Sequence, residues 1–247
     1  MTQIAVQLHT LRNLEEDAAW KLERVADAGY DGVQFTPRLA GATASELVPL
    51  LEAQELAVAG SHISRDEFEE DFEGGVAQYE TLGTDDLVIP SYDRESFTSR
   101  SGVESAAADV HEFGDRLAAE NIDIHYHNHS FEFTSLNGAT GFEVFAEETA
   151  GTLWLEIDTG LAYRADEDPA ELLERYADRV ELVHLTDTIP GSNETAHIDL
   201  GEGEVDLQAA IDATIAADAE WLIYENGRTD DPITSIQDAM EFIEAHR

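Results

Sequence analysis

The chain has 247 residues, with 54 acidic and 13 basic side chains, a formal net charge of −41 and no cysteine. Without thiols there are no disulfides, thiolate metal sites or cysteine nucleophiles, and a surface this acidic disfavours phosphate backbones, whose affinity comes from Lys and Arg. No run approaches the roughly 20 apolar residues of a membrane span, so the expectation is no nucleic acid and no membrane as partners.

The acids are dispersed through segments such as NLEEDAAW and DEFEEDFEGG, and Lys21 is the one lysine. This pattern is expected of a protein from a salt-loaded cytoplasm, where a Debye length of about 3 Å near 1 M salt screens self-repulsion. The chain starts on a strand-like segment without the features of a signal peptide, which makes a cytoplasmic location the expectation.

In chain order, IAVQL (4 to 8) reads as a strand and LEEDAAWKLERVADAGY (14 to 30) as a helix ending on Gly29. Lys21 lies in that helix, so a Schiff-base mechanism has no good candidate. GVQF (32 to 35) is a second strand, TASELVPLLEAQ (43 to 54) a helix with Thr or Ser at its start, and LAVAGSHI (56 to 63) a third strand. Strand DLVIP (86 to 90), helix SGVESAAADVHEFGDRLAAEN (101 to 121), and strands IDIHYH (122 to 127) and LWLEID (153 to 158) follow. The chain closes with DPAELLERYADR (168 to 179), VELVHL (180 to 185), WLIYE (221 to 225) and DPITSIQDAMEFIEAHR (231 to 247), the two helices opening on Asp-Pro. Eight short apolar runs separated by amphipathic stretches predict parallel strands with helical crossovers, a single (β/α)8 barrel over residues 1 to 247. An open doubly wound sheet lacks support, because QLHTLRN replaces a glycine-rich turn after the first strand.

In a barrel, the carboxyl ends of the strands converge on one site. Those ends carry His9, Gln34, His62, the segment HYHNH with Glu132 shortly after, Glu156, Asp158, His184 and Glu225. Period-two alternation in HYHNH points His125, His127 and His129 one way, with Tyr126 and Asn128 pointing the other. Neutral imidazole with carboxylate suits one divalent cation, such as Mn, Co, Zn, Mg or Fe. Each residue alone also has a plainer reading: a packed histidine, a helix cap at Asp158, a solvated turn at Glu225. Their coincidence at several strand ends favours a site. His111 and His246 read as surface residues.

VQLHTLRN, AGYDGVQF, GSHIS, HYHNHSFEF, EIDTGLA, HLTD, LGEGEVDL and IYENG follow one another in an order and spacing that resemble the sugar phosphate isomerase/epimerase group of xylose isomerase-like TIM barrels. That group also contains inosose dehydratases, ketose 3-epimerases and hydroxypyruvate isomerases. The resemblance implies a metal site of Glu, Asp, His and Glu from four successive strands, with Asp158, His184 and Glu225 filling the last three places. His127 or Glu132 takes the first, and strand geometry favours His127. It further implies proton transfer by Glu225 and Glu132, substrate contacts from His9, His62, His129 and His197, and a GEG loop (201 to 203) over the substrate. Thr186 stands where many relatives have Lys, and Gln34 where many have Glu; Arg12, Arg38 and Arg228 lie on loops within reach of an anion.

The implied activity is a divalent-metal-dependent isomerase or epimerase of a sugar, keto sugar or sugar phosphate, working through a metal-stabilised enediolate. The alternatives are a metal-dependent dehydratase acting on inosose or a 3-keto sugar, a multi-zinc hydrolase and an inactive sugar-binding barrel. Pairing into a homo-oligomer is a further implication of the resemblance.

Overall fold

A computed structural model describes residues 1–191 and 196–247. Eight parallel strands close into a barrel in chain order: β1 (Gln3–Gln7), β2 (Gly32–Phe35), β3 (Ala57–His62), β4 (Asp86–Ile89), β5 (Asp123–His127), β6 (Trp154–Asp158), β7 (Val180–Leu185) and β8 (Trp221–Tyr224). β8 pairs with β1 through Gln3 opposite Trp221 and Val6 opposite Tyr224, so no sheet edge is left open. All eight strands fall where the apolar runs predict them.

The crossovers are helical because the intervening sequence caps and patterns them so. Asp17 accepts the Trp20 amide, so the first helix runs over Ala18–Ala28 and ends on Gly29 at φ 95°. A capping box of Thr43 and Glu46 starts helix Ala44–Gln54. Asp168 and Asp231 cap helices Pro169–Arg175 and Pro232–His246, the two Asp-Pro openings. Helix Arg100–Ala118 buries Val103, Val110, Phe113 and Leu117 on one face. The sequence reading did not anticipate helices Arg65–Glu70 and Phe72–Leu82 within the acid-rich segment. Phe68 and Tyr79 stack there at 6.0 Å, supplying an apolar face that the acids obscure.

Alternation along each strand divides the apolar side chains between two compartments. One compartment lies between strands and helices and includes Val6, Phe35, Tyr126, Ile157 and Leu185. The other is a separate cluster of Ala5, Ala59, Val88, Leu182, Trp221 and Ile223, filling the inside of the barrel. Two residues further along the same strands come Gln7, His184 and Glu225. In β3 the interval is three, because Gly60 at φ +84° inserts an extra residue. That bulge returns His62 to the inner face, and a side chain at position 60 would meet the Asp86 carbonyl at 3.0 Å. Among the described residues, no helix is long and apolar enough to cross a membrane.

Candidate active site

The strand ends open into a cleft of about 530 Å³, within the usual size range for small-molecule sites. Its lining includes His9, His62, His127, His129, His197 and Glu225, together with Gln7, Arg12 and Arg228. Beneath it lie Asp158 and His184, both fully buried.

Four side chains from successive strands, His127, Asp158, His184 and Glu225, each offer a ligand atom, all within 4.8 Å of one another. His127 Nε2 is 4.0 Å from Asp158 Oδ2, and His184 Nδ1 is 3.1 Å from Glu225 Oε2. Asp158 performs two tasks with its two oxygens. Oδ1 accepts the Leu161 amide at 2.7 Å, the helix cap its position suggests, and the Thr186 hydroxyl at 2.6 Å. Oδ2 is buried without any hydrogen-bond partner. An unpaired carboxylate oxygen costs free energy in a dry site unless a cation meets it. The donor set of two imidazoles and two carboxylates therefore fits a divalent ion at this point.

A second grouping, His62, His127, Glu156 and His184, overlaps the first. Its atoms are already paired with one another: Glu156 Oε2 meets His62 Nε2 at 2.8 Å and His127 Nδ1 at 2.9 Å. Gln34 donates its amide nitrogen to Glu156 Oε1. This group is a closed hydrogen-bond network, whereas the first contains an oxygen with nothing to bind.

Burial sets the protonation of the cleft histidines. It lowers the pKa of His9 and His62, and brings His129 down to about 3, so these rings are neutral at pH 7 and able to donate and accept. His184 is the opposite case: burial works against its charge, but Glu156 and Glu225 on either side raise its pKa to about 10. Burial likewise opposes ionisation of Glu225, yet the hydrogen bond from His184 and the nearby His197 hold its pKa well below the usual glutamate value.

The structure does not bring Glu132 to this cluster. It lies in the turn Phe131–Phe133, fully buried, accepting the Tyr126 hydroxyl at 2.8 Å and the His129 amide at 2.9 Å. Because Tyr126 points outward from β5, its carboxylate partner lies behind the strand. His125 departs as well. It shares the inner face with His127 but sits two residues nearer the barrel floor, where Nε2 contacts Asp86 Oδ1 at 2.9 Å. The GEG segment does not line the cleft either: Gly201 and Gly203 donate their amides to buried Asp187, both at 2.9 Å. Arg38 is also absent from the lining.

Several supporting residues escape a reading of strand ends alone. Asn128 brackets the Asp158 backbone, accepting its amide at 2.9 Å. Thr186 orients Asp158 through its hydroxyl. Gln7 donates to Gln34 at 2.6 Å. Glu156, already named among the strand ends, lies two residues before Asp158 on β6, which places both on the inner face.

A profile of the family described as xylose isomerase-like TIM barrel matches residues 22–246. No functionally curated protein matches the sequence. Among solved structures, a sugar phosphate isomerase/epimerase from Parabacteroides distasonis superposes with a TM-score of 0.82 at 18% identity, covering 99% of this chain and 94% of that one. A probable 3-DHS dehydratase from Bacillus anthracis gives 0.80 at 12% identity, covering 98% and 99%. A D-allulose 3-epimerase from Methylomonas sp., solved with D-allulose, gives 0.73 at 16% identity, covering 100% and 97%. At these identities the likeness is one of fold, and with the profile match over most of its length the chain belongs to the xylose isomerase-like TIM barrel family.

Proposed function

We propose that the chain is a divalent-metal-dependent isomerase or epimerase of a sugar or keto sugar, moving a proton between neighbouring carbons or between faces of one carbon. The observation that carries this reading is the quartet His127, Asp158, His184 and Glu225, with the unpartnered Asp158 oxygen among its donors. An ion held there supplies Lewis-acid polarisation of a carbonyl and its neighbouring hydroxyl, which acidifies the adjacent C–H. Glu225, held ionised at the cleft wall, is placed to take that proton. Neutral His9, His62 and His129 bind substrate hydroxyls, and His197 closes the same wall. Arg12, braced by the carbonyls of His9 and Gly227, and Arg228 stand at the rim for a negatively charged substituent. The solved relatives named for sugar isomerisation and 3-epimerisation support this class.

Loss of water from a hydroxy ketone is the second reading. Among the described residues that line the cleft, Glu225 is the one carboxylate. A single carboxylate suffices for elimination, taking the proton from carbon and returning it to the departing hydroxyl so that water leaves, and one relative is named a probable 3-DHS dehydratase.

The test is elemental analysis of protein purified in high salt without chelator. About one divalent ion per chain is expected, and it should be lost in Asp158→Ala and in His184→Ala; full metal content in both variants would sink the assignment. Keto sugars are then incubated in deuterated water. Deuterium at the carbon next to the carbonyl without loss of mass supports isomerisation or epimerisation, and a product lighter by one water supports elimination.

A further inference from the structure

We propose that Glu156, which is buried beneath the cleft and is not one of the four expected ligands, is the positioning residue that decides which ring nitrogen of His127 and of His184 is free to bind a cation. The inference rests on the metal-site reading above and concerns how that site is made selective in its geometry.

A carboxylate in its ionised form accepts hydrogen bonds and donates none. Glu156, fully buried on β6, spends both oxygens in this way. Oε2 meets His127 Nδ1 at 2.9 Å, so the proton of that ring belongs on Nδ1 and the lone pair on Nε2. Nε2 is the atom that faces Asp158 Oδ2. The same Oε2 holds His62 Nε2 at 2.8 Å, which fixes the orientation of a ring in the cleft wall.

His184 is set through an intermediary. Oε1 of Glu156 takes the amide nitrogen of Gln34. This turns the Gln34 carbonyl toward His184 Nε2, 2.7 Å away, and Gln7 confirms the direction by donating to that carbonyl at 2.6 Å. Glu156 Oε1 is itself 3.3 Å from His184 Nε2. The Nε2 proton is thus held on this side, and Nδ1, whose own proton goes to Glu225, is the nitrogen that would give up its proton to meet a cation. With a cation bound, one carboxylate would consequently impose opposite tautomers on two rings whose centroids are 4.7 Å apart: Nδ1–H on His127 and Nε2–H on His184. A carboxylate oriented this way behind a ligating histidine is a general means of fixing the ring and raising its basicity. Here a single residue serves both rings. Gln34, where a second carboxylate would repel Glu156, is the complementary requirement: an amide can donate to Glu156 and accept from His184, which a glutamate cannot do.

The first experiment uses the native, 15N-labelled chain loaded with zinc, a diamagnetic probe, and long-range nitrogen–proton correlation spectra of the histidine rings. The expected pattern is zinc on Nε2 of His127 with its proton on Nδ1, and zinc on Nδ1 of His184 with its proton on Nε2. The same nitrogen bound in both rings would overturn the inference. The second uses Glu156→Gln with zinc affinity read by chelator competition. Its carboxamide cannot accept at both positions, so one ring reverses its tautomer; affinity is expected to fall roughly 10- to 100-fold while stoichiometry stays at one. Unchanged affinity would reduce Glu156 to a packing role. Two zinc ions on the native chain, with one lost in the variant, would make it a ligand in its own right. Should the variant fail to fold, the native spectrum still decides. If the native chain binds no zinc, the metal-site reading falls and the inference with it, whereas binding through other nitrogens removes the inference alone.

Discussion

Replacing Glu132 by Gln tests the division between the two sides of β5. Glu132 is buried behind the strand, and desolvation raises its pKa to about 7 from an ordinary value of 4.5, even though the Tyr126 hydroxyl and His129 amide favour its charge. A raised pKa means that the folded state holds the proton more tightly than the unfolded chain. The resulting stabilisation is present below the unfolded pKa and is lost as pH rises through about 7. The shift corresponds to about 3 kcal/mol between those limits. Glutamine keeps a carbonyl acceptor and the shape of the side chain but carries no titrating proton. Urea unfolding of both proteins at fixed salt, from about pH 4 to 8, should show the native chain losing about 3 kcal/mol relative to the variant. Metal content of the variant should equal that of the native chain. A stability difference independent of pH, or loss of metal on substitution, would refute the placement of this carboxylate outside the cleft chemistry.

Gly160→Ala should weaken metal binding without touching a donor atom, because a Cβ there meets Thr186 Oγ1 at 2.6 Å and displaces the hydroxyl that orients Asp158; calorimetric titration checks affinity, and a destabilisation of about 1–3 kcal/mol is expected from the overpacking. Asp187→Asn leaves one accepting oxygen where two now hold four amides, Thr188 and Val205 on Oδ1 and Gly201 and Gly203 on Oδ2, so one pair loses its acceptor and cleavage by a protease in the segment around Gly201 should accelerate; an unchanged cleavage rate would contradict the anchoring role. With a net charge of −41 the melting temperature should rise as salt is added from about 0.1 M to 1 M, over which the screening length shortens from roughly 10 to 3 Å; a melting temperature independent of salt would show that self-repulsion is unimportant. Removal of metal by a chelator should lower thermal stability, since an ion that binds only the folded state stabilises it by mass action.

The barrel was legible because each strand is a short apolar run bounded by turn or cap residues, a pattern that survives without knowledge of tertiary contacts. Asp158, His184 and Glu225 were legible for a related reason: parallel strands bring their carboxyl ends together whatever the loops do. His127 was separable from Glu132 by direction alone, since one lies on the inner face of β5 and the other follows the strand's end. What alternation did not convey was depth. His125 and His127 share a face, yet the former reaches Asp86 at the floor and the latter the cluster at the mouth. Hydrogen-bond direction was equally hidden. Glu156, Gln34 and Gln7 form a chain of donors and acceptors across three strands, and no local spacing in the sequence records such a relation.

The apolar cluster of Ala5, Ala59, Val88, Leu182, Trp221 and Ile223 acts as a septum within the barrel. The chamber above it opens to solvent through the cleft whose wall carries Glu225 and the histidines. Asp158 and His184 lie beneath His127 and Glu225, which line that cleft, so a substrate seated in it would stand between bulk solvent and an ion held by the four. On the proposed function, ion loading would then precede substrate and release would follow the reverse order: a chelator should strip the ion from the free protein faster than from the protein with its cleft filled.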